Sequence, residues 1–330
     1  MLDRHEHAES SEVSWQLDDT TVYGTMVRPS GPGPFPAVVM VAGSGPTDRD
    51  WNSPLLPGSN GSAHLLAEAL AEAGIASLRY DKRASGAHAR ENLQALMGKM
   101  SMQSHVDELA GAVRTLATQA FVDAGRIFGL GNSEGTLHVL NYQVHSPAIP
   151  FAGLVLTGAP GRPVGAVAQS QLAAQAAGIP NGDALLALYD EAIARFVAGE
   201  PIAPDPSLPQ GVQMLLQGLE TPVNLPFARE LWTAEAATPL RQVNVPVLVI
   251  IGRKDIQVDW QADGELLKRA AAGRDVTFLF PENANHILKH EPRPRSELAQ
   301  AEVGAGYNAP DARLDPEAVT AILQWLKDHA

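Results

Sequence analysis

The sequence predicts an α/β fold built on a mostly parallel sheet, entered through an antiparallel hairpin and interrupted by a helical insertion. Three observations carry this. Six short runs are continuously apolar, which suits strands buried on both faces. Segments of helical period separate them, so the strands connect by right-handed crossovers. The first thirty residues alternate instead, as a hairpin does. At 330 residues the chain is long enough for a sizeable core and an insertion.

In chain order, "EVSWQL" and "TVYGTMVRP" flank Asp18 and Asp19, a turn between two antiparallel strands. The apolar runs follow at 35–43, 74–81, 126–131, 151–158, 245–252 and 275–280, most of them ending in Gly or Asp. Residues 62–73 place Leu65, Leu66, Ala69, Leu70 and Ala73 on one helical face, with Ser62 as N-cap and Gly74 as the stop. Residues 105–118 do the same with Val106, Leu109, Val113 and Leu116, where Ser104 and Asp107 approximate a capping box. At the end, Asp315 can cap, Pro316 suits the first helical position, and Val319, Ile322, Leu323 and Leu326 form an apolar stripe.

Two stretches break the alternation. Residues 160–240 hold helix-like runs at about 165–177, 183–198, 209–218 and 226–233, far more than one crossover needs. They read as a helical cap inserted into a core made of 1–159 and 241–330. Residues 291–314 form a second excursion before the last helix.

Composition removes whole classes of function. With no cysteine, disulfides, thiolate nucleophiles and cysteine-based zinc sites are excluded. A formal charge of −13, from 24 Lys and Arg against 37 Asp and Glu, argues against a nucleic-acid partner. The polar, acidic start lacks the pattern of a secretory signal, and no run of about 18 apolar residues occurs, so the expectation is a cytoplasmic protein without a membrane partner. Self-association is left open.

The chemistry centres on "GLGNSEG", residues 129–135. With 17 serines and 29 glycines, a Gly-x-Ser-x-Gly match arises by chance roughly 0.1 times in such a chain, so the pattern alone is moderate. Its setting is stronger: the apolar run "RIFGL" precedes it and a helical segment follows, as in a nucleophile elbow. Gly131 and Gly135 would let the chain turn sharply enough to expose Ser133. The alternative is a plain turn with Ser133 as a helix N-cap.

A serine needs a base, and the base an orienting acid. Of ten histidines, His5 and His7 lie in the polar terminus, His329 is penultimate, and His64, His105, His138 and His145 fall on helices. His286 sits in a polar loop just past the last apolar run; His290 is its competitor. Asp255 follows the run ending at Gly252, with Asp259 as the alternative, more suited to starting the next helix. Main-chain N–H groups of Ser44, in a Gly-rich loop, and of Glu134 could receive a developing oxyanion. Asp48, Arg49, Asp50, Arg79, Asp81, Lys82 and Arg83 read as a salt-bridged loop support, with a substrate-carboxylate role for Arg49 or Arg83 as the alternative.

The motifs "GSGPTDRD" (43–50), "LRYDKRASG" (78–86), "GNSEG" (131–135), "GRKDIQV" (252–258) and "NHILK" (285–289), together with the order Ser133, Asp255, His286, resemble the α/β-hydrolase superfamily over essentially the whole chain. The closer resemblance is to serine-aminopeptidase-like and dienelactone-hydrolase-like bacterial esterases. It implies the α/β-hydrolase fold, a Ser133–Asp255–His286 triad, Ser44 and Glu134 as oxyanion donors, and no metal or cofactor. Two departures stand out: Asn132 where many relatives have His, and Ala84-Ser85-Gly86 where the loop usually continues Gly-x-Gly.

The expected activity is cleavage of small to medium carboxylic esters through an acyl-enzyme. Aminopeptidase, thioesterase and lactonase activities share the triad. A retained fold that only binds a small molecule is the non-catalytic alternative. An amine-binding site would draw on cap acids such as Asp190, Glu191, Glu200 and Glu220. Leu215, Leu216, Phe227 and Trp232 would either line an acyl pocket or pack the cap, and the loop around Tyr307 could contribute.

Overall fold

The alternating N-terminal segment pairs with itself as β1 (Glu9–Leu17) and β2 (Thr20–Arg28), turning at Asp18, whose φ of 52° is one that Asp tolerates. This computed structural model describes residues 8–299 and 303–330, so His5 and His7 lie outside the described residues, as does a short part of the 291–314 excursion. The six apolar runs become β3 (Phe35–Val41), β4 (Ala76–Tyr80), β5 (Val122–Asn132), β6 (Gly153–Thr157), β7 (Val247–Ile250) and β8 (Val276–Leu279). One eight-stranded sheet results, in the order β1-β2-β4-β3-β5-β6-β7-β8. β2 runs antiparallel to β1 and β4, and every other pairing is parallel.

Twelve helices accompany the sheet among the described residues: α1 (Ser62–Glu72), α2 (Ala89–Leu96), α3 (Met102–Ala117), α4 (Glu134–Val144), α5 (Val164–Ala176), α6 (Gly182–Ala198), α7 (Gln210–Leu219), α8 (Phe227–Thr233), α9 (Ala237–Leu240), α10 (Ala262–Ala270), α11 (Val303–Tyr307) and α12 (Pro316–His329). Because strand side chains alternate, β3 feeds both faces. Val39 and Val41 pack with Leu109, Val113 and Leu137 of α3 and α4, whereas Val38 and Met40 pack with Leu66 and Leu70 of α1 and Ile322 and Leu326 of α12. Continuous apolar runs are what two covered faces require.

Residues 164–233 carry α5 to α8 and a small core of their own, in which Tyr189, Phe196, Leu216 and Trp232 meet. No described helix is long and apolar enough to cross a membrane.

Helix starts differ from expectation in two places. α3 begins at Met102, not 105: Ser101 is the N-cap, and its hydroxyl accepts from the Ser104 N–H while Ser104 Oγ accepts from the Ser101 N–H, both at 3.1 Å. Asp107 lies inside the helix and accepts from Gln103. Ser62 is the first residue of α1 rather than its cap; Gly61 holds the cap position at φ 59°, and the Asn60 side chain accepts the Ser62 N–H at 2.9 Å. Asp315 caps α12 through the Ala318 N–H at 3.0 Å, with Pro316 at the first turn. α2 has no counterpart in the sequence reading because it buries only Asn92 and Leu96 and so carries no apolar stripe.

Candidate active site

Between the last residue of β5 and the first of α4 stands Ser133, at φ 54° and ψ −120°. That conformation is costly for a residue with a Cβ, on the order of 1–3 kcal/mol, and is held by its surroundings. The Ser133 N–H donates to the Thr157 carbonyl at 2.8 Å. A Cβ on Gly131 would strike the Gly135 backbone, and one on Gly135 would strike the Val41 carbonyl of β3. Both glycines are therefore demanded by close backbone approach. Ser133 occupies the N-cap position of α4, yet its side chain caps nothing. Ser133 lines a cavity of about 580 Å³ that His286 also lines.

Asp255 follows β7 in a turn, fully buried. Its Oδ1 accepts the N–H groups of Gln257 and Val258 at 2.8 and 2.9 Å, and its Oδ2 bonds His286 Nδ1 at 2.7 Å. With Nδ1–H given to the carboxylate, the imidazole presents Nε2 as an acceptor. Neighbouring residues hold the His286 turn. Asn285 Oδ1 accepts from the Ile287 and Lys289 N–H groups, tightening the turn, and Asn132 Nδ2 donates to the His286 carbonyl at 2.9 Å and to Thr157 Oγ1 at 3.1 Å. Gly158 leaves room for the ring, since a Cβ there would lie 3.0 Å from His286 Cε1 and Nδ1. The arrangement brings Asp255 and His286 together and puts Ser133 on the same cavity, but no hydrogen bond joins Ser133 to His286.

The competing residues have other partners. His290 bonds Asp315 at 2.9 Å, beside a separate recess of about 940 Å³ that contains neither Ser133 nor His286. Asp259 accepts the Gln261 and Ala262 N–H groups and pairs with Arg295 at 3.0 Å. Arg295 also donates to the Asp255 carbonyl, which ties the acid's loop down.

Ser44 and Glu134 both line the cavity, and neither main-chain N–H has a protein acceptor among the described residues. Gly43 presses against the serine: a Cβ on it would sit 3.3 Å from Ser133 Cβ.

Behind this wall lies a buried charged chain. Lys82 Nζ donates to the Gly43 carbonyl at 2.6 Å and to Glu134 Oε1 at 2.8 Å. The same Glu134 oxygen bonds His138 Nε2 at 2.9 Å. Burial alone would raise the Glu134 carboxyl, but Lys82, with His138 and His105, holds it far below the ordinary carboxylate range. Burial pushes His138 down to about 4, so its imidazole is neutral. Farther on, Glu108 is bonded by His105 and Arg83, both at 2.8 Å; these two partners overcome its burial and bring it to about 2. Ligand-type atoms of His105, Glu134 and His138 lie within 4.8 Å of one another, but Lys82 already supplies the positive charge there.

The loop-support residues pair partly among themselves: Arg49 with Asp81 at 2.7 Å and Arg79 with Asp50 at 2.5 Å. Lys82 and Arg83 reach outside the set, to Glu134 and Glu108, and neither Arg49 nor Arg83 lines the cavity. Sequence reasoning missed the partners of Asn132, Lys82 and Arg295. Asn132 was visible inside the serine motif, but nothing local announces a partner 154 residues away.

Much of the remaining cavity wall comes from residues 164–232. Leu215 and Leu219 of α7 and Phe227 and Trp232 of α8 line it, together with Tyr307, whereas Leu216 turns into the cap's own core. Among the described lining residues Glu134 is the one carboxylate, none is Lys or Arg, and Lys82 offsets the Glu134 charge.

A family model described as "Alpha/beta hydrolase family" matches residues 38–301. Esterase EstD of Thermotoga maritima is 28% identical over 281 residues, which is 83% of this chain but 60% of that protein, so the chain spans about three fifths of its relative. Among solved structures, proline iminopeptidase of Mycobacterium smegmatis is similar with a TM-score of 0.54 at 18% identity, covering 97% of this chain and 98% of that one. Dienelactone hydrolase of Anabaena variabilis gives 0.51 at 15% identity, covering 98% and 97%. At these identities the structures share a fold.

Proposed function

The chain belongs to the alpha/beta hydrolase family, and we propose that within it this protein is a serine esterase, cleaving uncharged carboxylic esters of small to medium size through an acyl-enzyme. The observation that carries the reading is the 2.7 Å bond from Asp255 to His286 Nδ1 beside an uncapped serine on one cavity. The likeness to an esterase of Thermotoga maritima supports the same direction.

In this reading His286 Nε2 takes the Ser133 hydroxyl proton as Oγ attacks the ester carbonyl. The new C–O⁻ is received by the Ser44 and Glu134 N–H groups, the second of which stands at the positive end of α4. The tetrahedral species collapses, the C–O bond to the alcohol breaks, and His286 returns the proton to the leaving oxygen. Water then repeats the sequence on the acyl-enzyme and frees Ser133. Asp255 keeps the ring in its tautomer and stabilises the transient imidazolium.

The cavity favours neutral substrates. An aminopeptidase must hold an ammonium group, and none of Asp190, Glu191, Glu200 and Glu220 lines the cavity. Glu191 instead pairs with Arg195, and Glu220 accepts the Ile202 N–H. A panel of p-nitrophenyl esters, thioesters, lactones and aminoacyl p-nitroanilides tests this directly. Esters should turn over and aminoacyl anilides should not; preference for the free-amine anilides would overturn it.

A further inference from the structure

We propose that Lys82 is a positioning residue that sets both halves of the oxyanion hole, fixing the Gly43–Ser44 peptide and the first residue of α4 with one ammonium group. The inference rests on the serine-esterase reading above and adds a residue to it.

The geometry is specific. Lys82 lies just past β4, on a buried side chain whose Nζ bonds the Gly43 carbonyl at 2.6 Å and Glu134 Oε1 at 2.8 Å. The Gly43 carbonyl and the Ser44 N–H belong to one peptide group, and in a trans peptide they point in opposite directions. A bond that pins the carbonyl from behind therefore aims the N–H forward, and it polarises the peptide so that the N–H becomes a better donor. Without such a pin this loop has freedom to spend, because Gly43 and Gly45 flank the peptide and Gly45 adopts φ 80°.

The second acceptor completes the device. Glu134 contributes the other main-chain donor, and its own side chain is the group that Lys82 holds. Both donors are thus referred to a single nitrogen. The Glu134 carboxylate is fixed in turn by His138 from the same helix, so the ammonium group is clamped between a loop and a helix end. A lone cation near the positive end of a helix would be unfavourable. Glu134 offsets that, which leaves hydrogen-bond direction, not net charge, as what Lys82 supplies.

The test pairs Lys82→Met with Glu134→Gln, so that no unpaired carboxylate is left buried. With a short-chain p-nitrophenyl ester, kcat is expected to fall about 100-fold, the loss typical of a missing oxyanion donor. KM should stay within about threefold, and the rate of fluorophosphonate labelling of Ser133 should fall in parallel with kcat. If that double variant folds poorly, Lys82→Arg is read in its place. It keeps the charge but moves the donor atoms, and should lower kcat about tenfold at unchanged KM. Wild-type kcat in a folded variant, or a loss confined to KM or thermal stability, overturns the inference. A wild-type protein that neither hydrolyses esters nor labels at Ser133 contradicts the esterase reading itself, and this inference falls with it.

Discussion

The turn around Ser133 and the helical segment 164–233 that lines the same cavity are packed differently. At the elbow the backbone itself is crowded: Gly131, Gly135 and Gly43 each stand where a Cβ would meet a neighbouring segment within 3.3 Å or less. In residues 164–233 the crowding is uneven: a Cβ on Gly165 or Gly182 would meet Trp232 or the Ala176 carbonyl, whereas Gly211 and Gly218 of α7 have nothing within 4 Å, and most of the strongly exposed large apolar side chains, Ile179, Val197, Met214 and Leu215, lie there. None of α5 to α8 has a side-chain N-cap, whereas α3 and α12 do. The difference separates two tasks. In the proposed esterase, the turn would hold a few atoms in one geometry, while residues 164–233 would present an apolar wall of the right shape.

The contrast can be broken most severely at the serine. Ser133→Ala should reduce kcat by ~10⁴–10⁶-fold, and Asp255→Asn by about 10⁴-fold, with folding intact by circular dichroism. Next comes the elbow backbone. Gly135→Ala should destabilise the protein by about 3 kcal/mol in urea titrations and remove activity with it, because the new methyl meets the Val41 carbonyl, which cannot move without shifting β3. An unchanged midpoint would mean that the elbow has slack it is not credited with.

Acid should act through the buried chain behind the elbow. His138 is neutral in the fold and titrates at about 4, against 6.5 in the unfolded chain. Between those values the unfolded chain binds the extra proton, so this contribution is complete above pH 6.5 and is lost as pH falls toward 4, at no more than about 1.4 kcal/mol per pH unit. Glu108 extends the loss from 4.5 down to about 2. His138→Gln should flatten the upper part of that dependence, and an identical slope in the variant would exclude His138 as its source.

The cap should respond least. Leu215→Ala and Leu219→Ala should shift preference between short and long acyl chains by roughly tenfold in kcat/KM, about 1.4 kcal/mol, without a general loss of kcat. Gly211→Ala, in open space on a helix, should be neutral or stabilise by at most ~1 kcal/mol. A large loss there would show the cap to be as tightly specified as the elbow.

What was legible in the sequence follows the same division. Strands that are buried on both faces announce themselves as apolar runs, and Ser133, Asp255 and His286 are locatable because each lies just beyond one. The four cap helices are visible from their period and their Pro and Gly punctuation. Features that depend on distant partners are not. Lys82 sits in a run of charges that reads as loop support, yet it bonds residues 39 and 52 positions away. Ser101 and Ser104 offer nearly the same local pattern for capping α3, and only the reciprocal bonds decide between them.

The central claim is that Ser133 carries the acyl group. Intact-mass and peptide mass spectrometry after treatment with a fluorophosphonate tests it most directly. One adduct on the peptide containing Ser133, lost in Ser133→Ala together with ester hydrolysis, is the result expected here. Hydrolysis that persists in Ser133→Ala, or an adduct on a different residue, would contradict it.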